Sequence, residues 1–198
     1  MFASCFADWV SALTDSDPDI IAIDGKTARR SHDQGQDPLH LVSAWASRQR
    51  LVIGQQACAQ KSNEITAIPL LLERLALQAC LVTIDAMGCQ TKIARAILDK
   101  GADYLLAAKR NWPNLHDEIT RYFNDIPDDT GASHTTIDAD HGRIETRRHR
   151  VSHDVGFLAT SRRFPGEPRF PDLKPVAMVA SEAEHGGKPS QERRYYLC

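Results

Sequence analysis

Hydrophobic positions fall into short runs along this chain, and the spacing inside each run predicts an element. Residues 20–24, 39–46 and 51–57 are β-branched or alternating apolar segments, the last two separated by Ser47-Arg48-Gln49-Arg50. They predict three consecutive antiparallel strands. Ser62-Asn63-Glu64 then resembles a helix start, with Ile68, Leu71, Leu72 and Leu75 behind it. Pro69 requires that helix to begin near it or to bend there. Next the elements alternate: strand 81–85, helix 91–100 closed by Gly101, strand 104–108 and helix 114–123. Such a β-α-β-α order predicts parallel strands with helical crossovers. Ahead of all these, Phe2, Phe6, Trp9, Val10 and Leu13 predict a short amphipathic helix, the tail of a longer N-terminal region covering 1–18.

Three antiparallel strands followed by alternating helices and parallel strands describe a ribonuclease-H-like α/β core, a mixed sheet flanked by helices, expected over residues 19–124. From 125 to 140 the composition shifts to Asp, Thr, Gly, Ser and Pro, which predicts a linker. Beyond it, 142–152, 176–180 and 193–197 read as strands, with Pro165, Pro168, Pro171 and Pro175 in the loop between the first two. Residues 125–198 are therefore expected to form a β-rich insertion or appendage on the C-terminal side.

Two of the core strands end in a carboxylate followed by a small residue, at Asp24-Gly25 and Asp85-Ala86. In the expected topology the first and fourth strands are neighbours, which brings Asp24 and Asp85 together across 61 positions of sequence. Hard carboxylate oxygens suit Mg²⁺, which takes one or two carboxylates plus phosphate oxygens. A pair of such ions activates a water or a 3′-hydroxyl and stabilises the leaving oxygen at phosphorus. An equally simple reading stands beside this one: Asp24-Gly25 is a turn and Asp85 a helix cap. A third, that Gly25-Lys26-Thr27 closes a phosphate-binding P-loop, fails because the glycine required five positions earlier is Ile20.

Composition adds few constraints. The 198 residues are 42% hydrophobic and 25% charged, with a net charge of -2, a globular balance that argues against a protein coating nucleic acid. Locally the picture differs, since Arg143, Arg147, Arg148, Arg150, Arg162 and Arg163 face only Glu145 and Asp154 between 141 and 163. The five cysteines are scattered and never in a C-x-x-C pair, so neither a disulfide framework nor a zinc site is expected. No basic leader and no apolar run of membrane length is present, which predicts a soluble, cytoplasmic protein.

The residues around the two aspartates resemble a known family. Ile21-Ala22-Ile23-Asp24-Gly25-Lys26-Thr27-Ala28-Arg29, Leu41-Val42-Ser43-Ala44-Trp45, Gln60-Lys61-Ser62-Asn63-Glu64-Ile65-Thr66-Ala67-Ile68-Pro69 and Ile84-Asp85-Ala86-Met87-Gly88-Cys89-Gln90 are similar to segments of the H-repeat-associated DDE transposases of bacterial insertion sequences. Asp103-Tyr104-Leu105-Leu106-Ala107-Ala108-Lys109, His141-Gly142-Arg143-Ile144-Glu145-Thr146-Arg147 and Arg194-Tyr195-Tyr196 continue the resemblance over nearly the whole chain. It implies a ribonuclease-H-like core with a β-rich insertion, and cleavage and transfer of DNA strands at insertion-sequence ends by two Mg²⁺ or Mn²⁺ ions. Asp24 and Asp85 then match the first two acids of the catalytic triad.

The third acid of that family, a glutamate in a His-Trp-x-Ile-Glu-Asn-like motif after the insertion, has no match between Arg194 and Cys198, so a copy clipped at both ends is expected. Glu118 and Glu145 are the in-chain substitutes, read more simply as a solvated helix-face residue and a strand residue paired with arginine. Lys109-Arg110-Asn111-Trp112 also departs from the family's Lys-Gly-Asn-Gln, and Arg in place of Gly predicts an altered turn.

Double-stranded DNA, both element ends and target, is the implied partner. Lys26, Arg29, Arg30, Lys109, His141, Arg143, Arg147 and Arg148 are the candidate phosphate contacts, against a reading in which they form a solvated basic loop and a salt-bridged strand face. Trp9 and Trp45 are expected in the core, and Trp112 either there or stacked on a base. A second copy of the chain or a full-length transposase is the implied protein partner. The alternative from another class is a non-catalytic, DNA-binding remnant or regulator.

Overall fold

The structure, a computed structural model, describes residues 19–27, 39–58, 64–128, 130–140, 143–159, 170–185 and 188–198. The expected helix over 2–13, and Trp9 with it, lies outside the described residues. Two compact units make up the chain, Met1–Leu106 and Ala107–Cys198.

In the first unit, β1 (Ile20–Thr27), β2 (His40–Ala46) and β3 (Leu51–Cys58) precede α1 (Glu64–Glu73), β4 (Leu81–Ile84), α2 (Thr91–Asp99) and most of β5 (Asp103–Ala108). β1 pairs antiparallel with β2 and β2 with β3, while β1 pairs parallel with β4 and β4 with β5. The resulting order β3-β2-β1-β4-β5 is the ribonuclease-H-like arrangement read from the hydrophobic pattern.

Strand alternation sorts each side chain onto one of two faces. Ile21, Ile23, Val42, Ala44, Val82 and Ile84 are buried on one face, and α1 lies against β2 and β3 on that side. Gly54 lets Leu71 of α1, and Leu75 just beyond that helix, approach the strand closely. Glu64, Ala67, Ile68, Leu71 and Leu72 form the buried stripe of that helix, at helical spacing. Pro69 sits inside α1, which begins five residues earlier at Glu64. The hydrogen bond it removes is to the carbonyl of Ile65, an exposed first-turn residue, so the helix runs through it. Gly101, at φ 69°, closes α2 in the left-handed conformation that glycine adopts without penalty.

Trp45 corrects an expectation. It falls on the other face of β2 from Ala44 and Ala46 and is 41% exposed instead of packed in the core. The period of two in the strand, rather than the size of the indole, decides its side.

The second unit holds α3 (Pro113–Asp125) and an antiparallel meander of β6 (Ala132–Asp140), β7 (Arg143–Ser152), β8 (Val176–His185) and β9 (Lys188–Leu197). Leu115, Ile119 and Phe123 are the buried stripe of α3, with Phe123 stacked against Tyr195 at 6.2 Å. The expected linker over 125–140 is mostly strand, because β6 is a nine-residue arm of a hairpin with β7. Its described side chains are exposed, so no hydrophobic alternation marks it, and only the β-branched Thr135, Thr136 and Ile137 carry a strand signal. Arg110 is not among the residues with positive φ, so the turn after β5 forms without the glycine-like conformation.

Candidate active site

The parallel ladder between β1 and β4 ends at the pair Ile23 and Ile84. Asp24 and Asp85 are each the next residue, on strands that lie about 4.8 Å apart. Because Ile23 and Ile84 point together into the helix-covered face, the two aspartates share the opposite, exposed face. After Ile84 the chain leaves the sheet through a short 3-10 turn, Ala86–Gly88, and Asp85 is its N-cap, accepting from the Met87 amide at 3.0 Å. The capping reading of Asp85 is therefore correct as structure, and it still leaves Oδ2 available. Asp24 is a strand residue paired with Ser43, not a turn residue.

Two exposed carboxylates side by side at the carboxyl edge of parallel strands fit a hard divalent cation, with water and substrate oxygens completing the shell. Lys26 Nζ lies 3.6 Å from Asp24 Oδ2, with the two side chains 83% and 57% exposed. A pair that open to water is weak and yields readily to a stronger ligand. Beside Asp24 on the same face, Gln55 donates to Ser43 Oγ at 3.1 Å. Among the described residues no group of three or more His, Cys, Asp or Glu is placed to hold a metal ion.

Beneath the aspartates, on the covered face, lies a polar cluster that hydrophobic patterning did not reveal. His40 and Glu64 are 2% and 5% exposed, and His40 Nε2 meets Glu64 Oε1 at 2.5 Å. His40 Nδ1 meets the Thr27 hydroxyl at 2.8 Å. Cys58, opposite His40 in the β2–β3 ladder, has its thiol pKa raised by burial and then by the charge of Glu64. The only signal in the sequence was a histidine at the head of an apolar strand and a glutamate where an apolar helix begins.

The candidate DNA contacts divide. Arg29, Arg30 and His141 lie outside the described residues, and Arg143 is placed only by its position at the head of β7. Arg147 and Arg148 are consecutive on a strand and so face opposite sides of the meander. Arg147 donates to both Glu145 oxygens at 2.9 Å, the strand pairing expected of Glu145, and Arg148 reaches Glu182 at 3.3 Å. Arg150, part of the same basic run, is buried and donates to Asp128 at 2.9 Å and to the carbonyls of Phe123, Ile126 and Pro127 at the end of α3. Lys109 follows β5, where its charge lowers the Glu192 pKa after the larger contribution of hydrogen-bonded Arg194. Glu118 lies on α3, half-buried. Trp112 packs edge-on to Phe170, with ring centroids 6.2 Å apart.

A family model described as a transposase DDE domain matches residues 15–182. An uncharacterised protein in the dhlA 3′ region of Xanthobacter autotrophicus is 40% identical over 99% of this chain and 66% of its own length. The putative transposase YncI of Escherichia coli K12 is 47% identical over 76% of this chain and 63% of its own. The H repeat-associated putative transposase YhhI of the same strain is 41% identical over 99% and 53%. The chain thus spans between half and two thirds of the length of these relatives. Among solved structures, a piggyBac transposase synaptic complex with hairpin DNA aligns over 90% of this chain and 32% of its own at TM-score 0.42 and 11% identity. With the model matching from Asp15 through the second aspartate and on to Glu182, the chain belongs to the DDE transposase family.

Proposed function

We propose that this chain carries the metal-binding part of a DNA strand cleavage and transfer site acting at insertion-sequence ends. The adjacency of Asp24 and Asp85 at the open end of the β1–β4 ladder carries the reading. When bound, Mg²⁺ or Mn²⁺ supplies Lewis-acid activation of a water or 3′-hydroxyl and stabilisation of the leaving oxygen at phosphorus. Asp24 and Asp85 hold the cation through their exposed oxygens. Lys26, two residues along and on the same face as Asp24, leaves its weak pair to meet a phosphate oxygen as the DNA backbone approaches. Arg148, exposed and loosely paired, is the better phosphate contact on β7, since Arg147 is held by the two hydrogen bonds it donates to Glu145. A second copy of the chain, or a longer transposase, is the protein partner in this reading.

One observation favours a second reading. No third carboxylate among the described residues joins the pair, which favours a non-catalytic protein that binds metal and DNA without cutting. Incubation of the 198-residue chain with Mn²⁺ and plasmid carrying the element ends separates the two. Nicking that Asp85→Ala abolishes establishes catalysis, and its loss in Glu118→Gln then identifies the third acid. DNA binding without nicking supports the regulator. Absence of both Mn²⁺ and DNA binding rejects both.

A further inference from the structure

Asp24 stands on a stretch of β1 with unusual support. Up to Ile23 the strand is paired on both sides, with β2 and with β4; from Asp24 to Thr27 only the β2 ladder continues. A half-supported strand end is a poor platform for a metal ligand, whose oxygens must be held to a fraction of an ångström. The covered face underneath supplies the missing support. A Cβ at Gly25 would overlap the Glu64 carboxylate, so this side chain packs directly on the backbone next to Asp24. His40 links Glu64 to Thr27 on the far side of Lys26. In the neutral tautomer protonated at Nε2, the imidazole donates to Glu64 and accepts the Thr27 hydroxyl proton at Nδ1, so both ring nitrogens are satisfied.

We propose that Glu64, His40 and Thr27 are positioning residues that clamp the 25–27 segment of β1 and thereby fix Asp24 beside Asp85. The proposal rests on the reading of the two aspartates as a metal pair. Fold stability alone is a weak reason to keep such a cluster, because replacing both partners of a buried hydrogen-bonded pair by apolar groups of the same shape is often nearly neutral. What apolar residues do not provide is directional fixing of one strand end. Gly25 fits the same account: a β-carbon there would displace the carboxylate that clamps the strand.

The test is Mn²⁺ titration of the full 198-residue chain, followed by electron paramagnetic resonance of the free ion, with melting temperatures measured alongside. Removal of a group behind a ligand weakens metal affinity by about 10- to 100-fold, so Glu64→Ala and Gly25→Ala should each weaken Mn²⁺ binding roughly tenfold at temperatures where both are folded. Glu64→Gln keeps the shape and a hydrogen bond to His40, and should stay within about threefold of the parent protein. Gly25→Ala combined with Glu64→Ala should be no weaker than Glu64→Ala alone, since the two changes act on one contact. Thr27→Val is the variant least disruptive to folding, because Thr27 is an exposed strand residue replaced by another β-branched one.

Unchanged affinity in Thr27→Val and in Glu64→Ala, or in Thr27→Val alone where Glu64→Ala does not fold, overturns the positioning role while the metal pair stands. A melting-temperature drop with unchanged affinity has the same meaning. Parent protein whose Mn²⁺ binding is absent, or is indifferent to Asp85→Ala, overturns the metal pair and the clamp together.

Discussion

Single residues here carry structural and chemical duties that substitutions can separate. Asp85 caps a 3-10 turn through Oδ1, a contact of the kind whose loss costs about 1 kcal/mol. Urea unfolding without metal should show Asp85→Ala destabilised by about that amount and Asp85→Asn nearly unchanged, because the amide oxygen still accepts the Met87 proton. Equal losses in the two would remove the capping role. Mn²⁺ binding should fail in both, which isolates the charge as the metal-binding element. Cys89, fully buried, bears on stability instead. Burial pushes its thiol pKa from 9.0 up to about 12. The folded state therefore keeps a proton that the unfolded chain releases above pH 9, and stability falls as pH rises from there toward 12. The slope contributed is at most about 1.4 kcal/mol per pH unit, and Cys89→Ala should flatten it in thermal melts between pH 8.5 and 10.5 by up to that amount. Half-buried Cys198, raised to about 11 by burial, and Cys58, also raised, contribute to the slope that remains.

At the scale of elements, Arg147, Arg148 and Arg150 of the basic run on β7 separate into one structural and two surface arginines. Arg150 is the C-terminal cap of α3, satisfying the carbonyls that a helix end leaves without partners. Arg150→Ala should lower stability by about 2–3 kcal/mol in urea titration, since charged hydrogen bonds and buried carbonyls are both involved. Arg147→Ala, breaking a half-exposed pair, should cost less than about 1 kcal/mol. A comparable loss for the two would contradict this division. In the sequence all three were equivalent members of a positive stripe; strand alternation and the position of α3 distinguish them. The same lesson appears in β6, whose polar composition hid a strand that exists because β7 offers it a nine-pair ladder.

For the whole molecule, a net charge of -2 means that any DNA binding arises from local cations rather than from the average field. Affinity for duplex DNA should fall with salt at a slope near −0.9 for each phosphate neutralised, and Arg148→Ala should reduce that slope by about one. Salt-insensitive binding would remove β7 from the interface. The order of strands and helices in the core was legible from the chain alone, because alternation and helical spacing are local properties of adjacent residues. So was the pair Asp24 and Asp85, through the apolar runs they terminate. Other features were fixed only when distant segments met in space. The adjacency of the aspartates required the parallel ladder of β1 with β4. The side on which Trp45, Arg147 and Arg148 lie required the register of their strands. The Thr27–His40–Glu64 cluster required helix α1 to dock its first residue under Gly25. Local pattern determines which element a segment forms; burial, pairing and contact between charges depend on separations in space that sequence order does not encode.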